Sequence, residues 1–150
     1  MKKSKTLESH IGYWLRFVSN HVSLSFADRL AECGVGVGEW VALNLLNENK
    51  SMSPGEIAKL VGMTRGAASK LLDRLYCKGL ITREESVTDR RYHEITLSVQ
   101  GKELLPRLIK EAEMNEQQFF GSLSKEQKQL LTTLLKDIIS IKKWTKVQID

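Results

Sequence analysis

Three cations recur at helical intervals within one short stretch, Arg65, Lys70 and Arg74, and the residues among them, Gly66, Ala67 and Ser69, are small. On a helix, Ala68, Leu71, Leu72 and Leu75 fall on one face and the basic and small residues mostly on the other. An arginine such as Arg65 can fork onto a guanine edge, and Lys70 and Arg74 can reach bases or phosphates. Small neighbours let such a helix approach base edges closely. A second basic group follows in Asp89-Arg90-Arg91. Asp89 can accept a hydrogen bond from the backbone N–H two residues on, which tightens a turn, and it can pair with one arginine and fix its direction. The other arginine then projects, a form suited to the narrow, electronegative minor groove of DNA. The plain alternatives are an ordinary amphipathic surface helix and a solvated charged loop.

Charge is concentrated where these groups lie. The 150 residues carry a formal net charge of +5, with 41% hydrophobic and 27% charged residues, the balance of a soluble globular chain. Residues 61–93 hold seven Lys/Arg against four Asp/Glu, hence three of those five net charges. A basic surplus favours nucleic acid or an anionic membrane. Membrane binding fits poorly, because the cations do not lie opposite a lone apolar stripe at a terminus. No apolar run approaches a membrane span and no signal core follows the basic start, so a cytoplasmic protein is expected.

Other chemistries find little support. Gly34-x-Gly36-x-Gly38 follows a helix rather than a strand, and Glu39 stands where a dinucleotide loop has its last glycine. Nucleophile-elbow, zinc-protease and P-loop patterns are absent, so no enzyme and no cofactor are expected. His10 and His21 stand roughly 16 Å apart along one helix and cannot share a metal ion. Cys33 and Cys77 belong to no close pair, which suits a reducing compartment; inert thiols are favoured over a redox sensor.

The elements that would position the basic groups can be read from periodicity and caps. A helix is expected from about Thr6 to Ala31, with Ile11, Leu15, Val18, Val22, Phe26 and Leu30 in one row and His10, Trp14, Phe17 and His21 beside it. An apolar face that wide touches two bodies, its own domain and a partner subunit. The glycine-rich break is followed by a helix over roughly Glu39–Asn47 and a polar turn to Lys50. Ser53-Pro54-Gly55-Glu56 opens a third helix with a capping box. Val61-Gly62-Met63 then forms the tight turn of a helix-turn-helix, and Thr64 caps the fourth helix, which Gly79 ends. Leu80–Glu84 and Tyr92–Leu97 form a hairpin with Ile81, Ile95 and Leu97 inward. Ser98 caps a fifth helix, expected to kink at Pro106, and Ser124 to Gln127 open a sixth with a wide stripe of Leu and Ile from Leu130 to Ile141.

A β-hairpin directly after a recognition helix is the wing of a winged helix. Leu71-Leu72-Asp73-Arg74-Leu75-Tyr76-Cys77-Lys78-Gly79-Leu80-Ile81-Thr82-Arg83, then Asp89-Arg90-Arg91, then Ile95-Thr96-Leu97-Ser98 and Gly101, resembles the MarR family of bacterial regulators over nearly the whole chain. The resemblance implies a mainly α fold with a small hairpin wing. One domain fills 1–150, with dimerisation helices over 1–35 and 98–150 flanking a winged helix-turn-helix lobe over 36–97. It implies a homodimeric repressor that binds a two-fold symmetric site on double-stranded DNA, with Arg91 of the Asp-x-Arg wing pair in the minor groove. It also implies release by a small aromatic, anionic effector between the dimerisation helices and the DNA lobe, for which His10, Trp14, Arg16, His21 and Trp40 are the candidates. Ser98 stands where the family usually has Thr, and Gly66 and Ala67 replace polar residues often found there, so the bases read are left open. A winged-helix interaction module and a non-specific nucleic-acid binder are the competing readings.

Overall fold

The computed structural model describes residues 6–85 and 93–144. A single 3-10 turn, Leu7–Ser9, precedes helix α1, Ile11–Glu32. The helical periodicity from Thr6 thus overshoots by one turn: His10 is extended at the N-cap, and its backbone closes the 3-10 turn onto Leu7. Gly34, at φ +79, turns the chain into α2, Val37–Asn49. This helix is longer by two residues at each end than expected, and Asn44 and Asn49 donate back to the carbonyls of Trp40 and Leu45 along it.

Strand β1, Ser51–Met52, was not legible as a strand. It pairs antiparallel with β3, His93–Leu97, which also pairs with β2, Ile81–Glu85, giving the order β1-β3-β2. Two residues carry no alternation, so their pairing depends on the edge that β3 offers. Helix α3, Pro54–Val61, has the full capping box: Glu56 N–H donates to Ser53 Oγ, and Ser53 N–H donates to the Glu56 carboxylate. Helix α4, Arg65–Cys77, starts on Thr64, whose Oγ1 accepts from Ala67 N–H. Gly79, at φ +72, stops the chain there and directs it into β2.

Helix α5, Val99–Phe120, starts on Ser98, which accepts from Gly101 N–H and donates to the Gly79 carbonyl. It runs unbroken through Pro106. Helix α6, Lys125–Lys142, opens with a second capping box between Ser124 and Gln127. No helix among the described residues is long and apolar enough to cross a membrane.

One core lies among α2, α3, α4, the sheet and the start of α5. Leu43, Leu46, Ile57, Leu71, Leu72, Leu75, Ile95 and Leu108 are fully buried in it, with Ile81 and Leu97 inward as the hairpin pattern requires. The terminal helices behave differently. Helix α1 packs Leu30 and the flank of Phe26 on this core and lies along α5, yet Ile11, Trp14, Leu15, Phe17, Val18 and Leu24 stay exposed. No residue of α6 is buried. The second body expected against the wide apolar face of α1 is therefore not supplied by this chain's described residues.

Candidate nucleic-acid interface

Helices α3 and α4 meet at the Gly62 turn, where φ is +77 and Met63 N–H closes onto the Ala58 carbonyl. A side chain at that φ would be strained, so the tight corner needs glycine. The corner lets Val61 and Ala68 be buried together while the leading half of α4 stands outside. Thr64, Arg65, Gly66, Ser69 and Lys70 are all exposed there. A Cβ on Gly66 would meet nothing within 4 Å, so the fold does not require glycine at that position. What glycine leaves is open backbone on the outward face, beside Arg65.

Arg74 is placed less simply. Its Nε donates to Glu39 Oε1 at 3.3 Å, while the side chain stays 57% exposed. Lys78 Nζ donates to Glu39 Oε2 at 2.6 Å and to the Gly34 carbonyl at 2.8 Å. Glu39 is buried and belongs to the first turn of α2. Sequence reasoning missed this group, because its members stand 35 and 39 residues apart. The one local signal was a glutamate at a position that the period of Leu43 and Leu46 directs inward.

The hairpin stem is fastened to the same helix. Arg83 on β2 donates to Asp73 at 2.6 Å and lies over the Tyr76 ring at 5.0 Å. Thr82 and Thr96 join β2 to β3 by their hydroxyls. Between α4 and the stem is a cleft of about 370 Å³, with Ser69, Asp73, Arg83 and His93 on its wall. The stem runs to Glu85 on one strand and His93 on the other. Asp89, Arg90 and Arg91, on the loop that joins them, lie outside the described residues.

The five effector candidates do not form one site in this chain. Trp40 packs edge-on against Phe26, 5.8 Å between ring centroids, at the margin of the core. His10, Trp14 and Arg16 are exposed at the start of α1, where Trp14 Nε1 donates to the Glu8 carbonyl. His21 alone of the five lines the groove of about 600 Å³ between α1 and α5, beside Asp28, Arg29 and Gln118. Helical spacing put these residues on one element or the next but could not say which face each would turn to α5. Nearby, Arg29 bridges Glu111 at 3.2 Å and Gln118 at 2.8 Å, and buried Asn115 donates to the Val22 carbonyl. Among the described residues no three His, Cys, Asp or Glu side chains gather as metal ligands.

This arrangement has close counterparts. The MarR family profile matches residues 37–93, from α2 to the return strand of the hairpin. The transcriptional repressor MprA of Escherichia coli strain K12 is 28% identical over 109 residues, which cover 70% of this chain. That alignment spans 62% of MprA's own length. A crystal structure of a mutant Escherichia coli MarR complexed with operator DNA superposes with a TM-score of 0.76 at 20% identity, covering 86% of this chain and 93% of that one. Bordetella bronchiseptica BpsR, solved in a study of how 6-hydroxynicotinic acid regulates its DNA binding, gives a TM-score of 0.77 at 20% identity, over 91% of this chain and 97% of its own. At such identities the two structures establish the winged-helix fold, and the profile match falls on the lobe that carries the basic helix. The lobe over residues 37–93 is thus of the MarR family type.

Proposed function

We propose that this protein is a sequence-specific, DNA-binding transcriptional repressor that acts as a homodimer on a two-fold symmetric operator. The observation that carries the reading is the exposed leading half of α4, with Arg65, Gly66, Ser69 and Lys70 outward on a helix whose other face is locked into the core. In this reading α4 enters the major groove, Arg65 forks onto a guanine, and Thr64, Ser69, Lys70 and Arg74 contact bases and backbone. In the same reading Arg91 enters the flanking minor groove, with Asp89 and Arg90 beside it at the DNA. Residues 1–35 and 98–150 serve as dimerisation helices and 36–97 as the DNA lobe. The uncovered apolar faces of α1 and α6 support that division.

The operator complex of MarR makes duplex DNA the natural partner to test, and MprA's designation as a repressor favours repression. The protein then works in the cytoplasm, as a regulator and not as an enzyme. BpsR's dependence on an aromatic acid supports a similar effector here. The groove beside His21 and Arg29 is the place within this chain that suits one.

The test is selection of bound sequences from a random double-stranded pool by the purified protein. An enriched inverted repeat, its half-sites about one helical turn apart, is the expected result. Salt-sensitive binding with no enriched sequence would replace this reading with a non-specific binder. No binding would replace it with a protein-interaction module.

A further inference from the structure

Among the described residues Glu39 is the one buried acidic side chain, and its partners are Arg74 and Lys78, at the trailing end of α4, with Lys78 also bonded to the joint between α1 and α2. Glu39's neighbour Gly38 leaves no room for a side chain: a Cβ there would stand 2.9 Å from Leu71 and 3.1 Å from Met63. Helix α2 therefore sets its first turn directly on α4, and the carboxylate that follows lands between Arg74 and Lys78. Leu71, Arg74 and Lys78 follow one another at spacings of three and four, so a single stripe of α4 receives this contact.

Two cations one turn apart repel each other. A carboxylate shared between them removes the repulsion, and the N-terminal end of α2 favours negative charge at the same place. Lys78 also donates to the carbonyl of Gly34, so the cluster fastens the trailing end of α4 to the chain that leaves α1. Arg74 stays half out of the protein. With Nε committed to Glu39, its Nη groups are what it can offer outward, from a stem already fixed in direction.

We propose that Glu39 is a positioning residue for DNA recognition: it holds Arg74 pre-aimed at a DNA phosphate. This rests on the reading of the chain as a DNA-binding protein. A group that orders a long cation before binding raises affinity for the site whose phosphate lies where the cation points. It does little for duplexes bound in other registers. Its negative charge, meanwhile, weakens attachment to any duplex.

The two effects have opposite signs, and this separates positioning from a general structural role. Glu39→Gln keeps the shape and an acceptor oxygen but removes the charge. The intact protein and Glu39→Gln, Arg74→Ala and the double variant are titrated by fluorescence anisotropy against the selected operator and a scrambled duplex of equal length. Glu39→Gln should lower the operator-to-scrambled affinity ratio roughly tenfold, the loss of about one ordered charge-assisted contact. Affinity for the scrambled duplex should hold or rise. In the Arg74→Ala background the same change should have little further effect on operator affinity, since coupled residues are non-additive. An unchanged ratio, a parallel loss on both duplexes, or additive effects would each overturn the assignment. A wild-type protein that does not discriminate between the duplexes would instead overturn the DNA reading. The clamp itself is then tested by NMR, where the Arg74 Nε–H should be protected from exchange in the free wild-type protein and unprotected in Glu39→Ala, which leaves no acceptor. Equal protection in both would refute it.

Discussion

Replacing Leu134 tests the proposed dimer through the helix that has most need of one. Helix α6 has 18 residues and buries none of them. Leu130, Leu131, Leu134, Leu135, Ile138 and Ile139 nonetheless make one continuous apolar face. An isolated helix of that length is marginal in water, so contact across this face must hold it. Leu134 is 51% exposed, and full burial of a leucine is worth about 1.5–3 kcal/mol, so covering the remaining half contributes about 1 kcal/mol. A two-fold interface counts the residue twice, about 2 kcal/mol for Leu134→Ala, or roughly a 30-fold rise in the dimer dissociation constant. Leu134→Asp adds a carboxylate in each subunit whose desolvation costs on the order of several kcal/mol, and that variant should be monomeric at micromolar concentration. Sedimentation equilibrium reads both. Gln129→Glu, on the opposite face of α6, adds the same charge and should leave the dimer intact. If Leu134→Asp sediments as a dimer alongside wild type, the interface lies elsewhere. If wild type itself is monomeric, the argument from the bare face of α6 fails altogether.

Arg65→Ala should relax base preference at one position in each half-site at a cost of roughly 1–3 kcal/mol, read by repeating the sequence selection; a mutant with wild-type preference removes Arg65 from the groove. Arg91→Ala should weaken binding to most duplexes and lower the slope of log affinity against log salt by about one contact, and an unchanged slope takes Arg91 off the DNA. Gly101→Ala should destabilise the fold by about 2 kcal/mol or more in denaturant unfolding, because a Cβ there runs into the Leu80 carbonyl that the start of α5 packs against. A midpoint within error of wild type would mean that α5 can shift away at no cost.

Most of the frame was legible because its signals are local. Ser53 with Glu56, Ser124 with Gln127, and the single caps Thr64 and Ser98 each act within three residues, and all four formed the hydrogen bonds their spacing requires. Gly34, Gly62 and Gly79 mark three corners that take a positive φ. The recognition helix could be read for the same reason: its apolar and basic faces are set by a period that the sequence displays directly. What was not legible depends on distant partners. Strand β1 exists because β3 has a free edge beside Ser51 and Met52. The Glu39 cluster joins three segments whose order along the chain gives no hint of their meeting. The placement of the effector candidates was hidden for a related reason. Their types suit an aromatic acid, but only the packing of α1 on α5 and α2 decides that Trp40 turns to Phe26 while His21 turns to the groove.

The distribution of apolar surface and charge ties these parts into one argument. The lobe from α2 to β3, with Leu30 of α1 and Leu105 and Leu108 of α5, closes around one core in which Leu43, Leu46, Leu72, Leu75 and Ile95 are almost wholly buried, so α4 is held in place within a single chain. The terminal helices close around nothing comparable; their exposed residues, Ile11 at 85% and Ile141 at 77% among them, fit a second copy better than water. A dimer built on those helices sets the distance between two copies of α4, and a site on DNA must match that distance. Lys78 then has a particular place. It is bonded to Glu39 within the lobe and to the Gly34 carbonyl at the exit of α1, so a change of angle between the dimer helices and the lobe must break one of these bonds or carry α4 with it. Unless one of those bonds gives way, whatever moves α1 against the lobe moves the basic helix, and on the proposed reading the spacing of its two copies governs operator binding.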